Sequence, residues 1–172
     1  TGPHYLVLDD SSLQENARFK MNPPLRSQKD REALIEGILD GTIDMIATDH
    51  APHTVEEKSR GLKDSAMGVV GLETAFAALN THLVRKGVIT LERLVELMSI
   101  NPRRVFRIEG GIEVGNRADI VLLDVEHQWR VDSTKFLSMG KISMFDGREM
   151  VGDVAMTIHR GNVVYDNNTK QY

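Results

Sequence analysis

The sequence predicts an α/β fold followed by a small β-rich domain, and three features of the pattern indicate it. Residues 16–48 predict an extended loop, an amphipathic helix and a short apolar strand in succession. Two further amphipathic helices are predicted between residues 72 and 99. From Gly110 onward, glycines separate short apolar runs, which is typical of strands and tight turns. We therefore predict two domains, residues 1–109 and 110–172.

The first elements are short. The apolar run at residues 5–8 (YLVL) predicts a strand that starts almost at the beginning of the chain. Residues 22–26 (NPPLR) predict a stiff extended loop, because two successive prolines exclude a helix and favour extended backbone before them.

A helix and a strand complete the first α/β unit. Ser27 and Asp30 have the spacing of a capping box, so a helix is expected to begin there, and Gly41 is a plausible end. Residues 42–48 (TIDMIAT) are short, β-branched and apolar, and they predict a mostly buried strand. That strand would end at Asp49.

A long polar loop and three helical stretches are predicted next. The loop covers residues 50–68, and loops of that length in compact domains are often functional. One helix is expected over residues 72–86 and another from the cap residue Thr90 to Ser99. A third helical stretch would begin near Asn101, where the following proline is tolerated in a first turn.

The last third of the chain predicts an antiparallel β structure. Strands are expected at residues 118–124, 154–159 and 162–165. Arg160-Gly161 lies between the last two and predicts a tight hairpin turn.

Composition excludes several classes of function. The chain has 172 residues, a formal net charge of −4 and scattered basic residues, so neither a nucleic-acid-binding surface nor a basic membrane-binding helix is expected. No apolar run approaches membrane-spanning length. Cysteine is absent, so any metal must be bound by His, Asp or Glu, and a reducing compartment such as the cytoplasm is compatible.

The most informative stretch is A-T-D-H-A-P-H at residues 47–53. Asp49 follows a predicted buried strand, and carboxylates at the carboxyl ends of parallel strands can bind a divalent metal and move a proton. His53 lies just beyond, on a loop that Pro52 would stiffen. The alternative is that Asp49 merely caps a helix and that the neighbouring histidines occur by chance.

Asn22 strengthens the functional interpretation. It lies one helix and one strand upstream, and successive loops after parallel strands open on the same face of a sheet. Asn22 could therefore meet Asp49 and His53, and its amide can both donate to and accept from a ligand. The alternative is an ordinary turn residue before two prolines.

In combination, these motifs resemble the C-terminal half of dihydroorotases of the long bacterial type, members of the amidohydrolase superfamily. The resemblance covers nearly the whole chain, and its motifs taken together are highly specific. Its segments are K-M-N-P-P-L-R at 20–26, D-G-T-I-D-M-I-A-T-D-H-A-P-H at 40–53, G-V-V-G-L-E-T-A-F at 68–76, G-G-I-E-V-G-N-R-A-D-I-V-L-L-D at 110–124 and T-I-H-R-G-N-V-V-Y at 157–165.

The resemblance implies the C-terminal part of a metal-dependent (β/α)8 barrel, with residues 110–172 as its small β domain. It implies the reversible cyclisation of N-carbamoyl-L-aspartate to dihydroorotate, with one or two zinc ions. Asp49 would be the metal-binding and proton-transferring aspartate. Asn22 and His53 would hold the substrate, together with the backbone of Met67 and Gly68. The family often has an aromatic residue at the position of Met67, a change that a backbone contact would survive.

Three alternatives stay open. Hydantoinases and allantoinases share the fold and the strand-end aspartate, but their loop typically lacks the second histidine of D-H-A-P-H, so His53 together with Asn22 favours dihydroorotase. Some inactive relatives act as scaffolds for aspartate transcarbamoylase, yet a scaffold has no need to keep Asn22, Asp49 and His53. The β-rich tail could also form a free-standing binding module.

By the same resemblance, the other metal ligands precede this region, and no His-x-His pair occurs in the sequence. The chain starts at Thr1 rather than Met, so we expect a piece of a longer cytoplasmic enzyme, inactive alone. Its expected partners are the missing N-terminal part of the barrel or a second copy of the chain. His4 resembles a family histidine, for which we expect a structural role or a second-shell hydrogen bond rather than metal binding.

Overall fold

The α-helices lie within residues 3–106, and the strands of one antiparallel sheet lie within residues 120–166. The computed structural model describes residues 1–168. The helices are α1 Pro3–Val7, α2 Gln28–Asp40, α3 Gly61–Asp64, α4 Ala75–Leu79, α5 Leu91–Val95 and α6 Asn101–Phe106, with π-helical turns Asn80–Val84 and Glu96–Ile100 after α4 and α5. The strands are β1 Ile120–Arg130, β2 Glu149–His159 and β3 Asn162–Asp166, and 3-10 turns lie at Asp10–Ser12, Ala17–Phe19 and Ser133–Lys135.

The helix predicted after the proline loop is confirmed with both of its ends. The Ser27 hydroxyl accepts from the Asp30 N–H at 3.3 Å, and the Asp30 carboxylate accepts from the Ser27 N–H at 3.1 Å, which completes the capping box. Gly41 ends α2 in the left-handed conformation, with φ of 86°. Ile38 is fully buried and fixes the inward face of this helix.

The strand predicted at residues 5–8 is wrong, because the chain forms the short helix α1 there. Pro3 lies in the first turn, where its missing N–H and fixed φ favour a helix. The N–H of Leu8 then donates to the carbonyl of His4 at 2.9 Å. An apolar run of four residues does not distinguish a strand from a buried helical turn.

The strand predicted at residues 42–48 does not form as a regular ladder. The Ala47 N–H donates to the Thr1 carbonyl, and the Ile46 N–H donates to the Leu97 carbonyl at the end of a helix, each at 2.9 Å. Ile46 is the one residue of this segment that is fully buried. A strand requires a neighbouring strand with matching hydrogen bonds, and here the segment contacts single residues instead.

The helices predicted from residue 72 onward are confirmed, with one changed boundary. Thr90 caps α5 by accepting from the Arg93 N–H at 3.1 Å. The earlier helix begins at Ala75 rather than at Leu72, because the Leu72 N–H is bonded to His50 and its side chain is exposed. Within residues 1–168, no helix has the length and apolar character needed to cross a membrane.

The predicted β structure is confirmed as an antiparallel sheet in the order β1-β2-β3. Ile120 pairs with Ile158 at one end of the first pair of strands, and irregularities in register interrupt the pairing along β1. Arg160 and Gly161 form the turn between β2 and β3 with φ of 51° and 80°. Positive φ at both turn positions is the geometry of a type I′ hairpin.

The sheet packs directly on the helices. The Asn80 side-chain amide donates to the Val125 carbonyl at 3.2 Å and to the Val151 carbonyl at 2.9 Å, which joins the end of α4 to two strands. One buried apolar cluster also includes side chains from both sides of Gly110. Its members include Val7, Leu8, Phe19, Val69, Ala78, Val131, Phe145 and Met150. The two-domain division at that glycine stays a prediction.

Candidate active site

Asp49 lies where the extended segment turns into the long loop. Its backbone φ is 52°, in the left-handed region that aspartate tolerates better than most side chains. Its side chain is half exposed. His50, the next residue, forms a parallel bridge with Val69 and thereby attaches the start of the loop to its end. This backbone geometry leaves the Asp49 carboxylate accessible at the edge of the fold.

His4 faces Asp49 from the first turn of α1. The His4 side chain is 2% exposed, and its Nε2 lies 3.9 Å from the Asp49 Oδ2. Within residues 1–168, this buried nitrogen has no hydrogen-bond partner. Burial lowers the pKa of His4 to about 4, although the negative charge of Asp49 opposes the change. His4 is therefore a neutral imidazole at neutral pH.

Tyr5 connects Asp49 to the proline loop. Its hydroxyl donates to the carbonyl of Pro23 at 2.7 Å. Burial, together with the negative charge of the nearby Asp49, raises the pKa of Tyr5 to about 12. Asp49 and the cis Asn22-Pro23 peptide are thus both neighbours of one hydroxyl group, and the Asn22 side chain is exposed beside them.

His53 is in direct contact with the end of the loop. Its Nε2 lies 3.0 Å from the Met67 carbonyl, and its Nδ1 lies 3.3 Å from a Glu57 carboxylate oxygen. Gly68 packs against the same ring with φ of 144°. A Cβ on Gly68 would lie 2.9 Å from the His53 Nε2 and 2.7 Å from the Ala51 carbonyl oxygen, so a larger residue does not fit there.

The loop end also contacts the segment that carries Asn22. The Gly68 N–H donates to the Lys20 carbonyl at 3.0 Å, two residues before Asn22. The Met67 carbonyl is used by His53, as described above. Within residues 1–168, the Met67 N–H has no hydrogen-bond partner. On this exposed residue, the N–H is open to water or to a ligand.

His50 points away from this group and has a structural role. Its Nδ1 accepts from the N–H of Gly71 at 3.1 Å and from that of Leu72 at 3.2 Å. Its Nε2 lies 3.4 Å from the hydroxyl of Ser138, on a loop of the β region. Because Nδ1 accepts, the proton of the neutral ring is on Nε2. His50 fixes the two sides of the loop rather than facing Asp49.

The structure brings the predicted site residues together in two groups. His53, Met67 and Gly68 are in direct contact, and Tyr5 lies beside both Asp49 and the carbonyl of Pro23, the residue after Asn22. Within the described residues, no hydrogen bond joins the Asn22 side chain to Asp49 or His53. The catalytic and substrate-binding roles of these residues stay predictions.

Two residues have surroundings that differ from the sequence-based expectation. A structural or hydrogen-bonding role was expected for His4, but its buried Nε2 has no hydrogen-bond partner within residues 1–168. Lys58 is buried in the loop, although a lysine after two glutamates predicts a solvated side chain. Nothing in the local sequence pattern indicates that burial, because the acceptors of Lys58 lie eight or more residues away along the chain.

The chain supplies only part of a metal-binding set. His4 and Asp49 are close to each other, but the described residues contain no cluster of three His, Asp or Glu side chains placed to hold a metal ion. A complete zinc site generally has at least three protein ligands. The pair therefore fits as part of a site and not as a whole one.

Comparison with known proteins gives the family. The model of the amidohydrolase family matches residues 8–164. A dihydroorotase from Anoxybacillus flavithermus is 51% identical over 165 residues, which are 95% of this chain but 39% of that protein. The motif-based resemblance to dihydroorotases is therefore confirmed, and the chain spans well under half the length of this relative.

Solved structures confirm the α/β fold class. The L-hydantoinase (dihydropyrimidinase) from Arthrobacter aurescens superposes with a TM-score of 0.88 at 37% identity and covers 96% of this chain and 38% of its own. The dihydropyrimidinase from Brevibacillus agri NCHU1002 gives a TM-score of 0.87 at 29% identity and covers 97% of this chain and 39% of its own. Sequence and structure thus agree that the chain belongs to the amidohydrolase family.

Proposed function

We propose that the chain is part of a zinc-dependent dihydroorotase, which interconverts N-carbamoyl-L-aspartate and (S)-dihydroorotate in de novo pyrimidine biosynthesis. One observation carries this proposal: the Asp49 carboxylate lies beside the unpaired, buried nitrogen of His4. The same carboxylate neighbours the Tyr5 hydroxyl that holds the Asn22-Pro23 turn. The 51% identity to a dihydroorotase supports the choice of reaction.

His4 and Asp49 have the properties of two ligands of one zinc ion. Zinc binds neutral histidine nitrogen and carboxylate oxygen at about 2.0–2.2 Å from each. A zinc ion bonded to both ligand atoms therefore requires them to lie about 4 Å apart or less. His4 Nε2 and Asp49 Oδ2 are separated by 3.9 Å. A buried imidazole nitrogen without a hydrogen bond is costly unless a ligand uses it. We therefore replace the structural role expected for His4 with metal binding.

Zinc bound there would supply hydroxide near neutral pH and would polarise the amide carbonyl. In the ring-opening direction, the oxygen of water bonds to the carbonyl carbon and the ring C–N bond breaks. Asp49 would take the proton that the water loses and deliver it to the leaving nitrogen. Its half-exposed carboxylate is accessible for both transfers. Cyclisation runs through the same steps in reverse.

The loop and the proline turn would hold the substrate. The exposed Asn22 amide offers a donor and an acceptor, and the unpaired Met67 N–H offers a second donor. His53 is held against Met67 and Gly68, so its ring has a fixed position beside that donor. Neutral groups that are already oriented bind a polar substrate with little further loss of entropy.

The 172-residue chain alone is expected to be inactive, because residues 1–168 offer two adjacent candidate metal ligands rather than three or more. The remaining ligands would come from the rest of the barrel. Without it, a second copy of the chain would pack against the surface that the rest of the barrel covers. A cytoplasmic location is part of the same proposal, and the absence of cysteine is compatible with it.

A related cyclic amidohydrolase is the second candidate. The superposition on the Arthrobacter aurescens L-hydantoinase at a TM-score of 0.88 favours it. The two candidates differ in substrate, because dihydroorotate carries a carboxylate that hydantoins need not have. A non-catalytic scaffold for aspartate transcarbamoylase is the third, and the accessible Asp49 beside an unpaired His4 nitrogen argues against it.

A chimeric enzyme tests the proposal. Residues 1–168 would replace the matching stretch of the Anoxybacillus flavithermus dihydroorotase, whose remaining part supplies the rest of the fold. Hydrolysis of dihydroorotate, hydantoin and dihydrouracil would be measured with zinc, with the unmodified Anoxybacillus enzyme as the reference. We expect the chimera to prefer dihydroorotate.

Other substrate preferences of the chimera would favour the second or the third candidate. Preference for hydantoin or dihydrouracil would replace dihydroorotase with the second candidate. A folded chimera that hydrolyses none of the three, beside an active reference enzyme, would contradict an enzymatic role and favour the scaffold.

A further inference from the structure

Lys58 places a charged group inside the long loop. The residue is 6% exposed, and its ammonium donates three hydrogen bonds to backbone carbonyls. These bonds run to Lys20 at 3.0 Å, to Ala66 at 3.0 Å and to Gly68 at 2.8 Å. An ammonium has three donors, so every donor of Lys58 is used within the chain.

The three carbonyls belong to two segments that carry proposed substrate-binding groups. Ala66 and Gly68 lie on either side of Met67, whose N–H is unpaired within residues 1–168. Lys20 lies two residues before Asn22, and its carbonyl also accepts from the Gly68 N–H at 3.0 Å. The Lys58 ammonium and this backbone hydrogen bond therefore join the two segments at the same place.

The arrangement is not explained by packing alone. Burial, together with the positive charge of Lys20, lowers the pKa of Lys58 to about 8. An uncharged side chain of similar length would fill the same space without that desolvation cost. What such a side chain lacks is the ability to orient three carbonyl groups toward one point.

We propose that Lys58 is a positioning residue, whose ammonium sets the spacing and direction of the Met67 N–H and the Asn22 amide for substrate binding. This inference rests on the proposed function. Lys58 does not touch the substrate in this account, and it acts through the backbone at residues 20, 66 and 68. The alternative is a purely structural lysine, whose loss would change stability and leave the two binding groups in place.

Amide hydrogen exchange on the 172-residue chain tests the geometry without any assay of activity. Lys58→Met keeps an unbranched side chain only one atom shorter and removes the charge. Lys63→Met, at an exposed lysine in the same loop, is the matched control. We expect at least about tenfold faster exchange of the Gly68 amide in Lys58→Met, with α2 amides unchanged. Equal exchange in Lys58→Met and Lys63→Met would overturn the proposal.

Chemical rescue separates the ammonium from the bulk of the side chain. The chain has no cysteine, so Lys58→Cys can be alkylated with 2-bromoethylamine at that one position in denaturant and then refolded. The product carries an ammonium at nearly the length of lysine. Restored protection of the Gly68 amide is expected. Equal restoration by an uncharged alkylating group would contradict a role for the charge.

The chimeric dihydroorotase described above tests the functional consequence. Lys58→Met is expected to raise KM about tenfold or more, with a smaller change in kcat, because the displaced groups bind substrate in both ground and transition states. Lys63→Met should match the unmodified chimera. An active chimera whose KM is unchanged by Lys58→Met overturns this inference while the proposed function stands. An inactive chimera counts against the proposed function, and the exchange experiment then decides on Lys58 alone.

Discussion

The two sides of the candidate site differ in whether their buried polar groups have hydrogen-bond partners within the chain. On the loop side, the His53 ring, the Lys58 ammonium and the Met67 and Gly68 carbonyls are all paired within the chain. On the other side, the buried His4 nitrogen has no partner within residues 1–168, and the Asp49 carboxylate is half exposed.

This difference shows which part of the site the chain builds alone. Polar groups that are paired internally are already oriented before a ligand arrives. A buried nitrogen left unpaired is stable only if something else binds it. We infer that the substrate-binding side is largely preformed in this chain and that the metal-binding side is completed by groups outside it.

Asp49→Asn should produce the largest effect on activity. In the chimeric dihydroorotase, kcat is expected to fall about a thousandfold or more, because the carboxylate that moves the proton is lost. Folding should be unaffected, since asparagine also tolerates the left-handed φ of 52° at this position. Steady-state kinetics would measure kcat, and circular dichroism would measure folding. A fall of less than about tenfold would remove Asp49 from the proton transfer.

Gly68→Ala tests how closely the preformed side is packed. The added carbon would lie 2.7 Å from the Ala51 carbonyl oxygen and 2.9 Å from the His53 ring, at a φ that alanine rarely adopts. The free energy of unfolding should fall by about 2–3 kcal/mol in urea titrations.

Gly87→Ala is the control for that measurement. Gly87 also has a positive φ, of 70°, but no atom lies within 4 Å of the added carbon. Backbone strain alone predicts a loss of about 1 kcal/mol. Equal losses at the two glycines would mean that the contact between Gly68 and His53 is loose.

The pH dependence of stability reports on the buried charge. The pKa of Lys58 is about 8 in the folded chain and 10.5 in the unfolded reference, so the unfolded chain binds more protons between these values. Stability therefore rises with pH in that window. Between pH 7.5 and 9.5, the unmodified chain should gain about 2 kcal/mol relative to Lys58→Met.

Comparing the two proteins cancels other titrating groups. Burial lowers the pKa of the Thr1 amine from 8.0, and that of Tyr5 rises to about 12, but both groups are the same in the two proteins. Parallel stability curves for the unmodified chain and Lys58→Met would show that the ammonium is solvated rather than buried.

The smallest expected effects concern His53. His53→Asn should raise KM for dihydroorotate about tenfold in the chimera, because a ring held against the Met67 carbonyl is lost. Glu57→Gln should change KM less than about threefold, since the contact between His53 and Glu57 is solvent exposed. A larger effect from Glu57 than from His53 would indicate that the carboxylate itself meets the substrate.

Local signals in the sequence predicted the elements that depend on neighbouring residues. The capping box at Ser27 and Asp30 and the turn at Arg160-Gly161 are decided within a few residues, and both formed as expected. The group of Asn22, Asp49, His53, Met67 and Gly68 was predicted from motifs; contacts join His53, Met67 and Gly68, and the roles of all five stay predictions.

The features that were not predicted depend on distant parts of the chain. Residues 42–48 satisfy the strand pattern, but a ladder needs a neighbouring strand, and the segment contacts Thr1 and a helix end instead. Lys58 is buried among carbonyl acceptors of Lys20, Ala66 and Gly68, which lie at least eight residues away along the chain. No local pattern around residue 58 carries that information.

A zinc titration compares the two sides most directly. Calorimetry would measure zinc binding to the 172-residue chain and to the chimera, each with His4→Ala and Asp49→Asn variants. With two ligands on the chain, we expect weak binding by the chain, binding at least about a thousandfold tighter by the chimera, and a loss in both when either ligand is replaced. Tight binding by the 172-residue chain, with hydrolysis of dihydroorotate, would contradict the claim that the metal-binding side is completed from outside. Tight binding that survives both replacements would remove His4 and Asp49 from the metal site.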